Sequence, residues 1–167
     1  MICSRLAFQR NNAITSEHLL WLAVAFYAAH ILEEFTYDWK SWVKHTTGLP
    51  VDWQAFYVTN AAVIILGVSC AEIGWRLPEF SLVYPALMVI NATFFHLAPT
   101  FFYRRYSPGL ITALFLFLPL SGWLYYGAYQ DGALTGRALL FSTIGGVLVM
   151  VYPVVLMKTA GSRLFKS

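Results

Sequence analysis

The chain is 167 residues long, 59% hydrophobic and only 11% charged, with a formal net charge of +3. A soluble domain carries about 25% charged residues, so the composition excludes an ordinary water-exposed globule. The basic residues form no run interleaved with aromatics, which excludes a nucleic-acid partner, and Cys3 and Cys70 make no CxxC pattern from which to read a zinc ribbon or a disulfide framework.

The opening residues, MICSRLAFQRNN, are too polar for the apolar part of a signal peptide and no small-residue cleavage site follows. The first hydrophobic segment is therefore expected to stay as a span. It runs from about Ser16 to Phe35, with Thr15 or Ser16 as the expected cap and Glu17 near the positive helix end. A polar, aromatic loop is expected next, YDWKSWVKHTTGLP, in which Trp39 and Trp42 anchor at the interface and Gly48 and Pro50 break any helix. The second span begins near Asp52, a good cap, and ends near Trp75 and Arg76. The third covers about Glu79 to Tyr103, and the fourth runs from Pro108 or Gly109 to the cluster Tyr125, Tyr126 and Tyr129. The fifth covers about Leu134 to Leu156.

Each of these segments reaches the roughly 20 residues that cross a bilayer core as a helix. The predicted fold is all-α, a polytopic membrane bundle of about five transmembrane helices. Its organisation is a polar tail over 1–15, one membrane domain over 16–158 and a basic tail over 159–167. Short loops make consecutive helices antiparallel neighbours. Five spans put the termini on opposite sides. Arg5, Arg10, Arg76 and Arg137 fall on the N-terminal side, against Lys40, Lys44, Arg104, Arg105, Lys158, Arg163 and Lys166 on the other. By the positive-inside rule this predicts the plasma (inner) membrane with a cytoplasmic C-terminus.

Ionisable groups inside a span are expensive, at least about 2.5–3.5 kcal/mol for a central charge. The stretch AHILEEF carries His30, Glu33 and Glu34 into the last half of span one. Asn60 lies near the start of span two and His96 in the last third of span three. Alternating helix direction then puts all five residues at one depth, so they are expected to form one site. His30 faces both Glu33 and Glu34, since i+3 and i+4 are helical neighbours, while the glutamates fan apart by about a hundred degrees.

Two readings follow. In the first, His30, Glu33 or Glu34, and His96 hold a divalent metal of the zinc, iron or manganese class, with the other glutamate, Asn60 or water completing the set. In the second, the same groups work without metal, His30, Glu33 and Glu34 serving as general acid and base. A blander alternative has span one ending at Leu32 and the glutamates opening an aqueous loop. Pro99 removes a backbone hydrogen bond and frees the Phe95 carbonyl beside His96, which either orients the imidazole or merely kinks the helix. Asn91 stands five residues before His96, off its helical face.

The turn FYRRYSPGLITA joins spans three and four on the side of this polar set. Pro108 suits the first turn of the next helix and Gly109 permits close chain approach. Arg104 and Arg105 are expected to snorkel to headgroups, or one of them to pair with a glutamate or an anionic substrate head. HILEE and RRYSPG together, in this order and on hydrophobic spans, resemble the HXXEE-domain membrane proteins. The resemblance implies a further Asn/His pair, here Asn91 and His96, ahead of Tyr106, Pro108 and Gly109. It supports the site and supplies no reaction.

The leading expectation is an intramembrane enzyme acting on a hydrophobic small molecule, lipid-like or isoprenoid, among membrane lipids. The catalytic set is His30, Glu33 and Glu34, the metal set adds His96, and Asn60, Asn91, Arg104, Arg105 and Tyr106 hold substrate. The chemistry stays open between metal-dependent hydrolysis or oxidoreduction and acid/base isomerisation or cyclisation. Proton or metal-ion transport and a non-enzymatic scaffold are the alternatives. A scaffold predicts carboxylates paired with Arg104 or Arg105 and no cavity.

Overall fold

The computed structural model describes residues 15–48 and 51–159. The expected polar tails, with Cys3, Arg5, Arg10, Arg163 and Lys166, lie outside the described residues. Within them, six helices follow one another: α1 Ser16–Thr36, α2 Trp39–Thr47, α3 Trp53–Arg76, α4 Pro78–Tyr103, α5 Leu110–Gln130 and α6 Gly136–Thr159. Five of them, all but α2, are long and apolar enough to cross a membrane. Among the described residues there is no strand. The chain is a membrane-type helical bundle, and its spans fall within a few residues of the expected ones.

Local chemistry sets the boundaries. The Asp52 carboxylate accepts the Ala55 N–H at 2.6 Å and starts α3, as expected of a capping residue. Pro78 opens α4 in the first turn, where its missing N–H costs nothing. The stretch expected as a loop after α1 is instead the helix α2. Asp38, in the left-handed region at φ 52°, accepts the Ser41 N–H at 3.3 Å, and Gly48 at φ 72° closes the other end. One face of this short helix folds inward, with buried Val43 packed on Val51, Trp39 and Trp42. Thr15 and Ser16 make no side-chain cap to α1.

The centre of the bundle is α4. Of its apolar window 61% is buried, against 22–33% in the other four spans. The core around it joins Leu20, Ala23 and Tyr27 of α1 to Tyr84, Leu87 and Met88 of α4 and to Phe117 and Leu124 of α5. On its other flank α6 approaches closely through Gly145 and Gly146. A Cβ at Gly146 would stand 3.0 Å from the Leu87 backbone nitrogen and 3.1 Å from the Ala86 Cβ, the small-residue contact that lets membrane helices touch backbone to backbone. Facing outward, Leu32, Ile65, Phe94, Phe101 and Leu148 are between 64% and 79% exposed. Such an apolar surface belongs against lipid.

At the end of the bundle away from His30, Asp131 in the α5–α6 turn ties three elements together. Its Oδ2 accepts from Ser16 N–H at 2.7 Å, the Ser16 hydroxyl at 2.6 Å and the Trp75 indole N–H at 2.9 Å. The Glu17 carboxylate beside it accepts the Trp75 backbone N–H at 2.7 Å. Partial burial pushes the Asp131 carboxyl up, but the hydrogen bonds from Ser16 and Trp75 outweigh it and hold the group below its ordinary value. A carboxyl lowered in the folded state stabilises the fold above its unfolded value of about 3.9, and that stability is lost as pH falls through the folded value. Wild type is therefore expected to melt above Asp131→Asn in detergent at neutral pH, with the gap closing as pH drops below about 4. A gap that persisted unchanged well below about pH 4 would contradict the assignment.

Candidate metal centre

On α1, residues 30 and 34 lie one helical turn apart, so their side chains share a stripe. That stripe faces the interior: His30 is 0% exposed and Glu34 6%. Glu33 is rotated away from it, toward the α4–α5 turn. His96, also 0% exposed, comes from α4, inside a π-helical segment over Asn91–Leu97. Such widened turns recur at functional sites. A second one, Ala113–Phe117 in α5, presents Phe117 against His30 with ring centroids 4.5 Å apart.

The two imidazoles meet edge to face, centroids 4.8 Å apart, and each is pinned through Nδ1. His30 Nδ1 lies 2.7 Å from the Thr112 hydroxyl, which donates to Glu33 Oε2 at 2.5 Å. His96 Nδ1 lies 3.1 Å from the Ser107 hydroxyl, which donates to the Phe95 carbonyl at 3.4 Å. Pro99 has no N–H to give that carbonyl, which reaches His96 through Ser107 and not directly. Because both hydroxyls give their protons elsewhere, the assigned tautomer of each histidine carries hydrogen on Nδ1 and a lone pair on Nε2.

Both Nε2 atoms are buried and have no hydrogen-bond partner. Each stands 3.6 Å from the same atom, Glu34 Oε1. Ligand atoms of His30, Glu34 and His96 all fall within 4.8 Å of one another. A separation of 3.6 Å is too long for a hydrogen bond. It is close to the about 3.4 Å between two ligands that each sit about 2.1 Å from a tetrahedral metal. Two imidazoles anchored at Nδ1, with free Nε2 atoms aimed at one carboxylate oxygen, is the arrangement metal sites use to orient their ligands. Two imidazoles and a carboxylate at this spacing could hold a metal ion.

Glu33, expected beside Glu34 in the ligand set, does not enter this cluster. Its carboxylate is filled by Gly109, Ile111 and Thr112 N–H groups at 3.1, 3.0 and 2.7 Å, with the Thr112 and Tyr106 hydroxyls at 2.5 Å each. It caps the N-terminus of α5 from outside, where a helix favours an anion. Gly109, at φ 98°, packs so tightly beneath the rings that an added Cβ would stand 2.5 Å from His96 Cε1 and 2.7 Å from His30 Cε1.

Glu34 also borders a cavity of about 60 Å³ that extends among Trp39, Asn60, Asn91 and Phe95 toward α6. Asn60 is half-buried and donates to the Phe56 carbonyl at 3.0 Å. Asn91 is buried and its Oδ1 has no partner. It was expected off the His96 face; it lines the cavity beside Glu34 and Phe95, whereas His96 does not border that cavity. Arg104 and Arg105 are exposed, and among the described residues the ion-pair contacts of Glu34 are with His30 and His96 alone. Ser107 and Thr112 had no assigned role from the sequence, since a hydroxyl that orients a ligand carries no spacing signal of its own.

The model of a family described as proteins of unknown function with an HXXEE motif matches residues 21–124. The chain belongs to this family. Its motif is the His30, Glu33 and Glu34 stretch of α1, and the match runs through the α4–α5 turn that completes the centre. Among curated proteins the chain is similar to the uncharacterised protein YrkK of Bacillus subtilis (strain 168), 35% identical over 68 residues, covering 40% of this chain and 43% of YrkK. No solved structure matches.

Proposed function

We propose that this HXXEE protein is a membrane-embedded metalloenzyme in which His30, Glu34 and His96 hold one divalent ion and a hydrophobic molecule reaches it from the bilayer. The observation that carries the reading is the pair of buried, partnerless Nε2 atoms converging on Glu34 Oε1 at 3.6 Å each. An ion held by three protein ligands keeps a position open and supplies Lewis acidity and an activated water. The acid/base alternative requires hydrogen bonds where 3.6 Å separations stand. Transport would require polar groups continuing across the bundle, where Leu20, Ala23, Leu87, Met88 and Leu124 fill the interior. A scaffold has no use for the cavity beside Glu34. The charge balance assigns the side bearing the centre to the cytoplasm.

Elemental analysis of the detergent-purified protein tests the reading. Wild type is expected to carry about one equivalent of zinc, iron or manganese, and His30→Ala, His96→Ala and Glu34→Gln less than about a tenth of that. Metal retained by all three variants, or none bound by wild type after incubation with each ion, would sink it.

A further inference from the structure

The cavity beside the centre has a chemistry of its own. Glu34 is the charged side chain on its wall, and among the described residues no cationic side chain lines it. Arg104 and Arg105, the expected clamp for an anionic head, are exposed in the α4–α5 turn and do not border it. Two of its wall residues keep buried polar atoms without a partner: Asn91 offers an acceptor in Oδ1 and Trp39 a donor in Nε1. An unsatisfied buried polar atom is costly, so the wall is incomplete until something supplies both a donor and an acceptor.

A hydroxyl does both. The cavity, of about 60 Å³, is several times the about 10–15 Å³ that holds one water, so a hydroxymethyl end fits it. Beyond the polar pair the wall turns apolar, with Phe56 and Val63 of α3 facing Val149, Met150 and Pro153 of α6, and both helices present apolar side chains to lipid. Resting on the metalloenzyme reading for the adjoining centre, we infer that the substrate is an uncharged long-chain alcohol. Its hydroxyl end sits between Asn91 and Trp39 next to Glu34, and its hydrocarbon lies in the cleft between α3 and α6.

Equilibrium binding of tritiated 1-dodecanol to the full chain in lipid nanodiscs, with empty discs as the blank, tests this. The metal content of every sample is measured alongside. Saturable binding is expected, and 1-methoxydodecane, which lacks the donor proton, should compete about threefold to tenfold less well. Asn91→Ala should weaken dodecanol binding by a similar factor with metal content unchanged. Trp39→Phe, which keeps the ring and deletes the N–H, gives a second measure should Asn91→Ala fold poorly. Arg104→Gln with Arg105→Gln should leave binding within about twofold, as expected of exposed residues. Binding that does not saturate, which water in the cavity would produce, overturns the inference. So does an ether that competes equally, or binding lost in the arginine variant. Because metal is measured separately, dodecanol binding to metal-free protein would fault the metal assignment and leave the cavity assignment standing.

Discussion

Gly109→Ala is expected to empty the proposed metal centre and destabilise the bundle together. At φ 98° the residue occupies left-handed backbone that costs an L-residue roughly 1–2 kcal/mol. The new Cβ would also stand 2.5 Å from His96 Cε1, 2.7 Å from His30 Cε1 and 3.0 Å from His96 Nδ1. Neither ring can yield cheaply, because Thr112 and Ser107 pin both through Nδ1, and overpacking of this kind adds about 1–3 kcal/mol. The rings must turn, and the Nε2 atoms then no longer converge on Glu34. Metal content below a tenth of wild type and a clear loss of melting temperature in detergent are the expected results. Gly132→Ala separates the two causes. Its φ of 72° imposes the same kind of strain, but nothing lies within 4 Å of the added Cβ, so it should cost stability and keep the metal. Full metal in Gly109→Ala would show that the rings are not held as described.

Most of the fold was readable because the bilayer makes one demand, a run of apolar residues with satisfied backbone, and the five runs are long. Asp52 marked the start of α3 correctly because a cap acts within one turn of its own residue. Helix α2 escaped because its signals are short-range and opposed: Asp38 caps it from a left-handed backbone that few sequences announce, and its few apolar residues resemble an interfacial loop. The centre was legible to the level of depth. Alternating spans had to bring His30, Glu34 and His96 together once each was placed on its helix. Which glutamate faces the histidines was not legible, since i+3 and i+4 are equally good neighbours. The choice is made by partners remote in sequence, the free N–H groups of α5 that capture Glu33. The π-helical segment Asn91–Leu97 that carries His96 was not legible either, because the hydrophobic pattern alone does not distinguish an α turn from a widened one.

The two glutamates of the motif should therefore fail in different ways. Glu34→Gln removes the oxygen that both imidazoles face, so metal is lost while the metal-free protein keeps its stability, because a buried charge has been removed. Glu33→Ala leaves the first N–H groups of α5 bare and frees the Thr112 hydroxyl to turn. An unsatisfied buried group costs about 1–3 kcal/mol, and loss of a partner that orients a ligand lowers metal affinity about 10–100-fold. The expected pattern is a metal-free Glu33→Ala that melts well below wild type and binds metal weakly yet measurably in a chelator competition. Thr112→Val, which keeps the shape and deletes the hydroxyl, should reproduce the affinity loss. Combined with Glu33→Ala it should add little, since both changes break one chain of hydrogen bonds from Glu33 to His30 Nδ1. Glu33 is in that case a positioning residue acting through Thr112. If Glu33→Ala instead strips the metal as completely as Glu34→Gln and leaves the apo melting temperature untouched, Glu33 is itself a ligand, and the separation of roles drawn from its five hydrogen bonds is wrong.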